Sequence, residues 1–280
     1  MYKNTIISES YNLAVEAGFN DFLEKYATFE NSEIKIDEEK LIAEIEIKWL
    51  NEKIPEIGDI TPSEYINSIV SLEELVGLFI DIATVSDVGV PDILVDRLKQ
   101  HDKPAADMLF DTVQDLLEAK DESKSLPIAQ AVCTIGCLRF DEYKNKLIEL
   151  LITCYKNEMI SEAICVAIAE YEHCILEEVF KAFETTEIEA VKEFLLICVA
   201  EISKVHQSDE IFYFMKNAFG ILSNKKLTVE VLGDYGDGRA IPLLRGYILK
   251  NINEIDKDTF NLIRAIIKKL GGEIKDLVLQ

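Results

Sequence analysis

Leu232 to Leu244 reads L-G-D-Y-G-D-G-R-A-I-P-L-L, and the placing of its glycines, aspartates and proline decides how the rest of the chain is read. Gly233 and Gly236 permit close approach of backbones and dihedral angles closed to other residues. Asp237 stands where a helix N-terminus needs an acceptor, and Pro242 falls near the start of that helix, where a missing N–H is best tolerated. The stretch predicts one helix ending, a tight turn, and a second helix beginning. Asp234, Tyr235, Asp237 and Arg239 form its most site-like polar cluster. Asp237 and Arg239 read as turn residues linking neighbouring units, while Tyr235, with Asp234 beside it, is the candidate for partner contact.

Outward from this turn the chain repeats itself. Aligning Thr134-Ile135-Gly136, Ala167-Ile168-Ala169, Glu201-Ile202-Ser203, Val231-Leu232-Gly233 and Lys269-Leu270-Gly271 places the central aliphatics 33, 34, 30 and 38 residues apart. A small residue follows each of them, as a tight helix packing point needs. Helical periodicity is strong around these points: Val191, Phe194, Leu195, Cys198, Val199 and Ile202 share one face, as do Leu147, Leu150, Leu151 and Cys154, and Ile263, Ile266, Ile267 and Leu270. A lone helix pair cannot cover its own apolar stripe, so such pairs must stack.

The Leu232–Leu244 turn and the recurring spacing resemble HEAT-like repeats, including the short type named after phycobilisome lyases. The resemblance implies an all-α fold, a right-handed α-solenoid over residues 71–280 with its clearest repeats in 128–280, preceded by an irregular acidic helical region over 1–70. Gly233, Gly236, Asp237, Arg239 and Pro242 then become the structural residues of the repeat turn. Other units depart from the pattern: Glu170 to Glu178, E-Y-E-H-C-I-L-E-E, lacks the Asp-Gly-Arg turn, and Cys137 to Tyr143 keeps only part of it.

Upstream, periodicity predicts helices over Tyr11–Tyr26, with Leu13, Ala17, Phe22 and Leu23 on related faces, and over Asp37–Leu50, opened by an acidic run. Trp49 to Ile66 reads W-L-N-E-K-I-P-E-I-G-D-I-T-P-S-E-Y-I. Pro55, Gly58 and Pro62 interrupt the helix, and Thr61 with Pro62 and Glu64 has the form of a cap, a first-turn proline and an acidic first turn. The string is similar to one in the toxin-binding domain of Xre-type antitoxins, which implies a partner-neutralising surface at 49–66. Read from its residues alone, it is a packed helical corner with Trp49 and Ile54 in the core. Leu72–Ala83, Asp92–Gln100 and Ala105–Ala119 also read as helices, and Lys120–Ser125 as an exposed connection.

Composition narrows the chemistry. The chain has 280 residues, is 49% hydrophobic and carries six prolines, which predicts a folded, soluble protein. Its best apolar run, Phe194–Ala200, sits between Glu193 and Glu201 and is too short for a bilayer. The opening M-Y-K-N-T-I-I-S-E-S lacks a continuous apolar region, which predicts a cytoplasmic location. Net charge is −23, of which −17 falls on residues 1–125 and −6 on 126–280. Such a surface repels phosphate backbones, so no nucleic-acid partner is expected; it admits a basic protein or peptide partner, and it equally serves to keep an apolar-rich chain in solution. The six cysteines read as small apolar residues in a reducing compartment.

His101, His173 and His206 lie at least one repeat apart, and the spacing supplies no zinc site. The repeated His-Glu dipeptides with which the HEAT-like deoxyhypusine hydroxylases hold iron are absent. No catalytic, cofactor-binding or metal-ligating residue is assigned. The leading expectation is a non-catalytic scaffold holding a protein or peptide in the groove of the second helices. The alternatives are a HEAT-like enzyme of lyase or DNA glycosylase type, and an antitoxin-like module at 49–66.

Overall fold

The computed structural model describes residues 2–26 and 37–278 of the chain. They form fifteen α-helices and three short 3-10 turns, with no strand among the described residues. The chain divides into two compact units, Met1–Phe140 and Asp141–Gln280.

In the first unit α1 (Tyr2–Tyr26) packs along α2 (Glu38–Asn51) and α4 (Leu72–Val85), while α3 (Pro62–Ser68) and α5 (Asp92–Lys99) close one end. Helix α4 is the centre, with Leu75, Leu78, Phe79 and Ile82 fully buried, and α6 (Asp102–Glu118) and α7 (Ser125–Leu138) lie against it. The N-terminal helix begins nine residues before the periodicity predicts, and it buries a different stripe. Ile7, Tyr11 and Val15 face the core, whereas Leu13 and Leu23 are 63% and 58% exposed. The buried stripe is partly polar: Asn4 accepts from the Tyr65 hydroxyl (2.6 Å), and the Tyr11 hydroxyl donates to Glu46 Oε1 (2.9 Å). A pattern drawn from aliphatic residues alone passes over such a face.

The corner after α2 is helix, ordered loop, helix, as its residues predict. Thr61 and Glu64 close a reciprocal capping box at the start of α3, with Pro62 in its first turn. Gly58 takes φ 104° and lets the Ile54 N–H reach the Ile60 carbonyl (3.0 Å). Trp49 and Ile54 are core, the indole N–H donating to Ser10 Oγ (3.0 Å).

The second unit is a succession of helix pairs. Helices α8 (Tyr143–Cys154) and α9 (Glu158–Ala169) are followed by α10 (Leu176–Thr185), α11 (Glu189–Ser203), α12 (Asp209–Ile221), α13 (Lys225–Tyr235), α14 (Ala240–Asn251) and α15 (Lys257–Lys269). Helix α11 packs between α9 and α13, and α13 packs against α15; α10, α12 and α14 each lie across the first helix that follows them. Asn157, Ser208, Asn224 and Asp256 cap α9, α12, α13 and α15, each side chain accepting the N–H three residues on. Polar ties recur at about the repeat distance: the Lys144 ammonium donates to the Cys174 carbonyl (2.9 Å), Glu189 accepts from Ser223 (2.6 Å), and Asp234 pairs with Lys269 (2.8 Å). The aligned aliphatics Ile135, Ile168, Ile202 and Leu232 lie buried near the ends of α7, α9, α11 and α13, within the helices rather than in the turns.

Candidate functional site

The turn after α13 is built as its residues dictate. Gly236 ends the helix at φ 82°, a left-handed conformation that costs glycine little. Asp237 Oδ1 accepts the Arg239 N–H (2.8 Å) and Oδ2 accepts from its guanidinium (2.7 and 2.8 Å). These bonds hold the Asp237 carboxyl below the usual carboxylate range. The same guanidinium pairs with Asp209 (2.8 Å) at the start of α12 and lies over the Phe212 ring, 4.2 Å from its centre. Arg239 thus joins its own turn to the preceding helix pair. Pro242 sits exposed in the first turn of α14, and Gly233 lies directly under Ile266 of α15.

Tyr235 faces inward at 7% exposure. Its hydroxyl donates to the Ser208 carbonyl (2.8 Å) and accepts the Ser208 N–H (3.1 Å), while its own carbonyl accepts from Gln207 (3.2 Å). In this geometry the ring fastens α13 to the α11–α12 connection. Asp234, the other candidate for partner contact, is exposed and lines a groove of about 430 Å³ between α11 and α13. These are the first helices of their pairs, so the groove lies on a different layer from the second helices favoured by the sequence.

Ile197, Ala200, Leu227 and Val231 give this groove an apolar floor. Its rim is acidic: Glu201 pairs with Lys204 (2.6 Å), Asp234 with Lys269 (2.8 Å), and Glu230 makes no ion pair among the described residues. Nothing in that constellation provides a nucleophile beside a general base; an apolar floor with carboxylates around it can bind, and its field favours cations. The sequence reading missed the floor because its residues come from two helices. The repeat distance itself was the available signal, since Ile197 and Leu227, Ala200 and Glu230, and Lys204 and Asp234 are each 30 residues apart, like Ile202 and Leu232.

The same logic joins two histidines. His173 and His206, 33 residues apart, stack with ring centroids 4.9 Å from each other, and no group of three or more His, Cys, Asp or Glu side chains among the described residues is placed to hold a metal ion. His101 falls between α5 and α6 of the first unit. The cysteines differ from expectation in part. Cys154, Cys165 and Cys198 are buried, but Cys137 and Cys174 are exposed because they fall at a helix end and in the turn before α10. Burial, with Cys165 alongside, pushes the Cys198 thiol well up, which makes it unreactive. Lys225 is a helix cap, its ammonium donating to the Phe219 and Leu222 carbonyls at the end of α12; desolvation lowers its pKa. No helix among the described residues is long and apolar enough to cross a membrane.

No family model, curated protein or solved structure matches this chain.

Proposed function

We propose that the protein is a non-catalytic scaffold, a right-handed HEAT-like α-solenoid in its repeated part, that holds a protein or peptide partner carrying basic side chains. The observation that carries this reading is the α11–α13 groove, apolar in its floor and acidic at its rim. A basic peptide laid there would bury apolar side chains on Ile197 and Leu227 and meet Glu230 with its cations. The chain's charge of −23 would speed that encounter over a longer range. We place the protein in the cytoplasm, a reading supported by six cysteines in an arrangement suited to a reducing compartment.

The experiment is affinity capture from the native lysate with wild-type and Glu230→Lys proteins side by side, eluted by stepwise salt. A stoichiometric protein that is retained by the wild type, released early by salt and lost from Glu230→Lys supports the reading. A partner retained equally by both, or released only under denaturing conditions, removes the α11–α13 groove from consideration.

A further inference from the structure

The corner after α2 bounds a second surface, within the N-terminal unit. A groove of about 480 Å³ runs between α1 and the segment Trp49–Glu56. Ile6 and Ala14 form one side of its floor, and Trp49, Ile54 and Pro55 the other. The floor needs no polar group from outside, because the indole N–H is satisfied by Ser10, whose hydroxyl in turn donates to the Ile7 carbonyl (2.8 Å). Leu13 stands at the edge of the groove with nearly two thirds of its surface exposed. Glu9, Glu52 and Glu56 surround it against the single cation of Lys53, and none of these three carboxylates makes an ion pair among the described residues. An exposed apolar trough ringed by unpaired carboxylates calls for an occupant with apolar side chains and positive charge.

We infer that this groove takes a short amphipathic helix carrying lysine or arginine beside its apolar stripe. A helical occupant follows from the walls. Helix α1 uses its backbone groups internally along this stretch, and the Ile54 N–H is already bonded to Ile60. An extended peptide would find no sheet edge to pair with, whereas a helix satisfies its own backbone and needs only side-chain contact. The lining positions of α1 run from Ile6 to Ala14, about 12 Å along the axis, which matches two to three helical turns. This site shares no residue with the α11–α13 groove, so either can fail without the other.

The test uses the full chain and two fluorescein-labelled peptides of about twelve residues. One has leucines on one helical face and lysines on the other; its isomer has the same composition with the stripe scrambled. The amphipathic peptide is expected to bind at least about tenfold more tightly than the isomer, and to gain helical circular dichroism on binding. Leu13→Glu should remove that preference even though it makes the protein more acidic, and Glu9→Lys should weaken binding and flatten its salt dependence; Glu230→Lys should leave both unchanged. Because Leu13 is exposed, the fold should survive its substitution, as an unaltered far-ultraviolet spectrum would confirm. Equal binding of the two peptides, or binding indifferent to Leu13→Glu, would mean general charge attraction and would overturn the inference. So would binding without helix gain. Self-association of the wild type that Leu13→Glu abolishes in sedimentation velocity would make a second copy the occupant and would equally overturn it.

Discussion

At the scale of single residues, the packing of α13 against α15 is enforced by what cannot fit. A Cβ at Gly233 would lie 2.4 Å from Ile266 Cδ1 and 2.9 Å from its Cγ2, so the whole Ile266 side chain would have to move. Gly233→Ala gains helix propensity in α13, but overpacking a buried α13–α15 contact costs about 1–3 kcal/mol and should win. Urea denaturation should show Gly233→Ala destabilised, with much of the loss recovered on adding Ile266→Val; independent effects of the two changes would refute direct contact. A second residue-scale prediction concerns Glu46. Burial raises its pKa despite the hydrogen bond from Tyr11. A carboxyl raised on folding contributes stability that is complete below its unfolded pKa and is lost as pH rises through the folded value. Glu46→Gln keeps an acceptor for Tyr11 without the buried charge, so its stability relative to wild type should improve as pH rises from the ordinary carboxylate range towards neutrality. A constant difference between the two proteins across that range would show that Glu46 does not titrate differently on folding.

At the scale of elements, legibility followed the source of each signal. The start of α3 was readable because Thr61, Pro62 and Glu64 act within one turn, and the same holds for α2, where Asp37 caps by accepting the Lys40 N–H. Helices α4, α5 and α6 appear within a few residues of their predicted limits, their apolar periods being long and regular. The face of α1 was not readable. Its core stripe mixes Asn4 and Ser8 with Ile7, Tyr11 and Val15; Ser8 bonds within its own helix to the Thr5 carbonyl, but Tyr11 and Asn4 find their partners in Glu46 and Tyr65, 35 and 61 residues away. The position of Leu13 at a groove edge was hidden for the same reason. Tyr235, a tyrosine in a polar turn, looks available from sequence, whereas the fold buries its ring and Ser208 engages its hydroxyl as both donor and acceptor. Arg139 and Glu172 end or begin turns at φ 55° and 52°, which puts a left-handed residue in those turns as Gly236 does after α13, at greater local cost.

For the whole molecule, charge is the quantity that composition fixes and that local structure does little to offset. Of 81 formally charged side chains 52 are acidic, and among the described residues ion pairs such as Lys99–Asp96, Lys204–Glu201 and Lys226–Asp258 join exposed groups. Pairs of that kind contribute little, about 0–1 kcal/mol each, whereas self-repulsion in a chain of net charge −23 opposes the compact state. Salt screens both, but with 52 acidic side chains against 29 basic ones it relieves the repulsion more than it weakens the pairs. Raising sodium chloride from low to physiological ionic strength shortens the screening length from about 30 Å to about 8 Å. The thermal midpoint should therefore rise by at least about 2 °C, near 1 kcal/mol for a chain of this size. The same salt should weaken the basic partner, so stability and binding are expected to move in opposite directions along one titration. A midpoint that falls with salt would show that the ion pairs outweigh the repulsion, and it would remove the electrostatic argument for a basic partner at either groove.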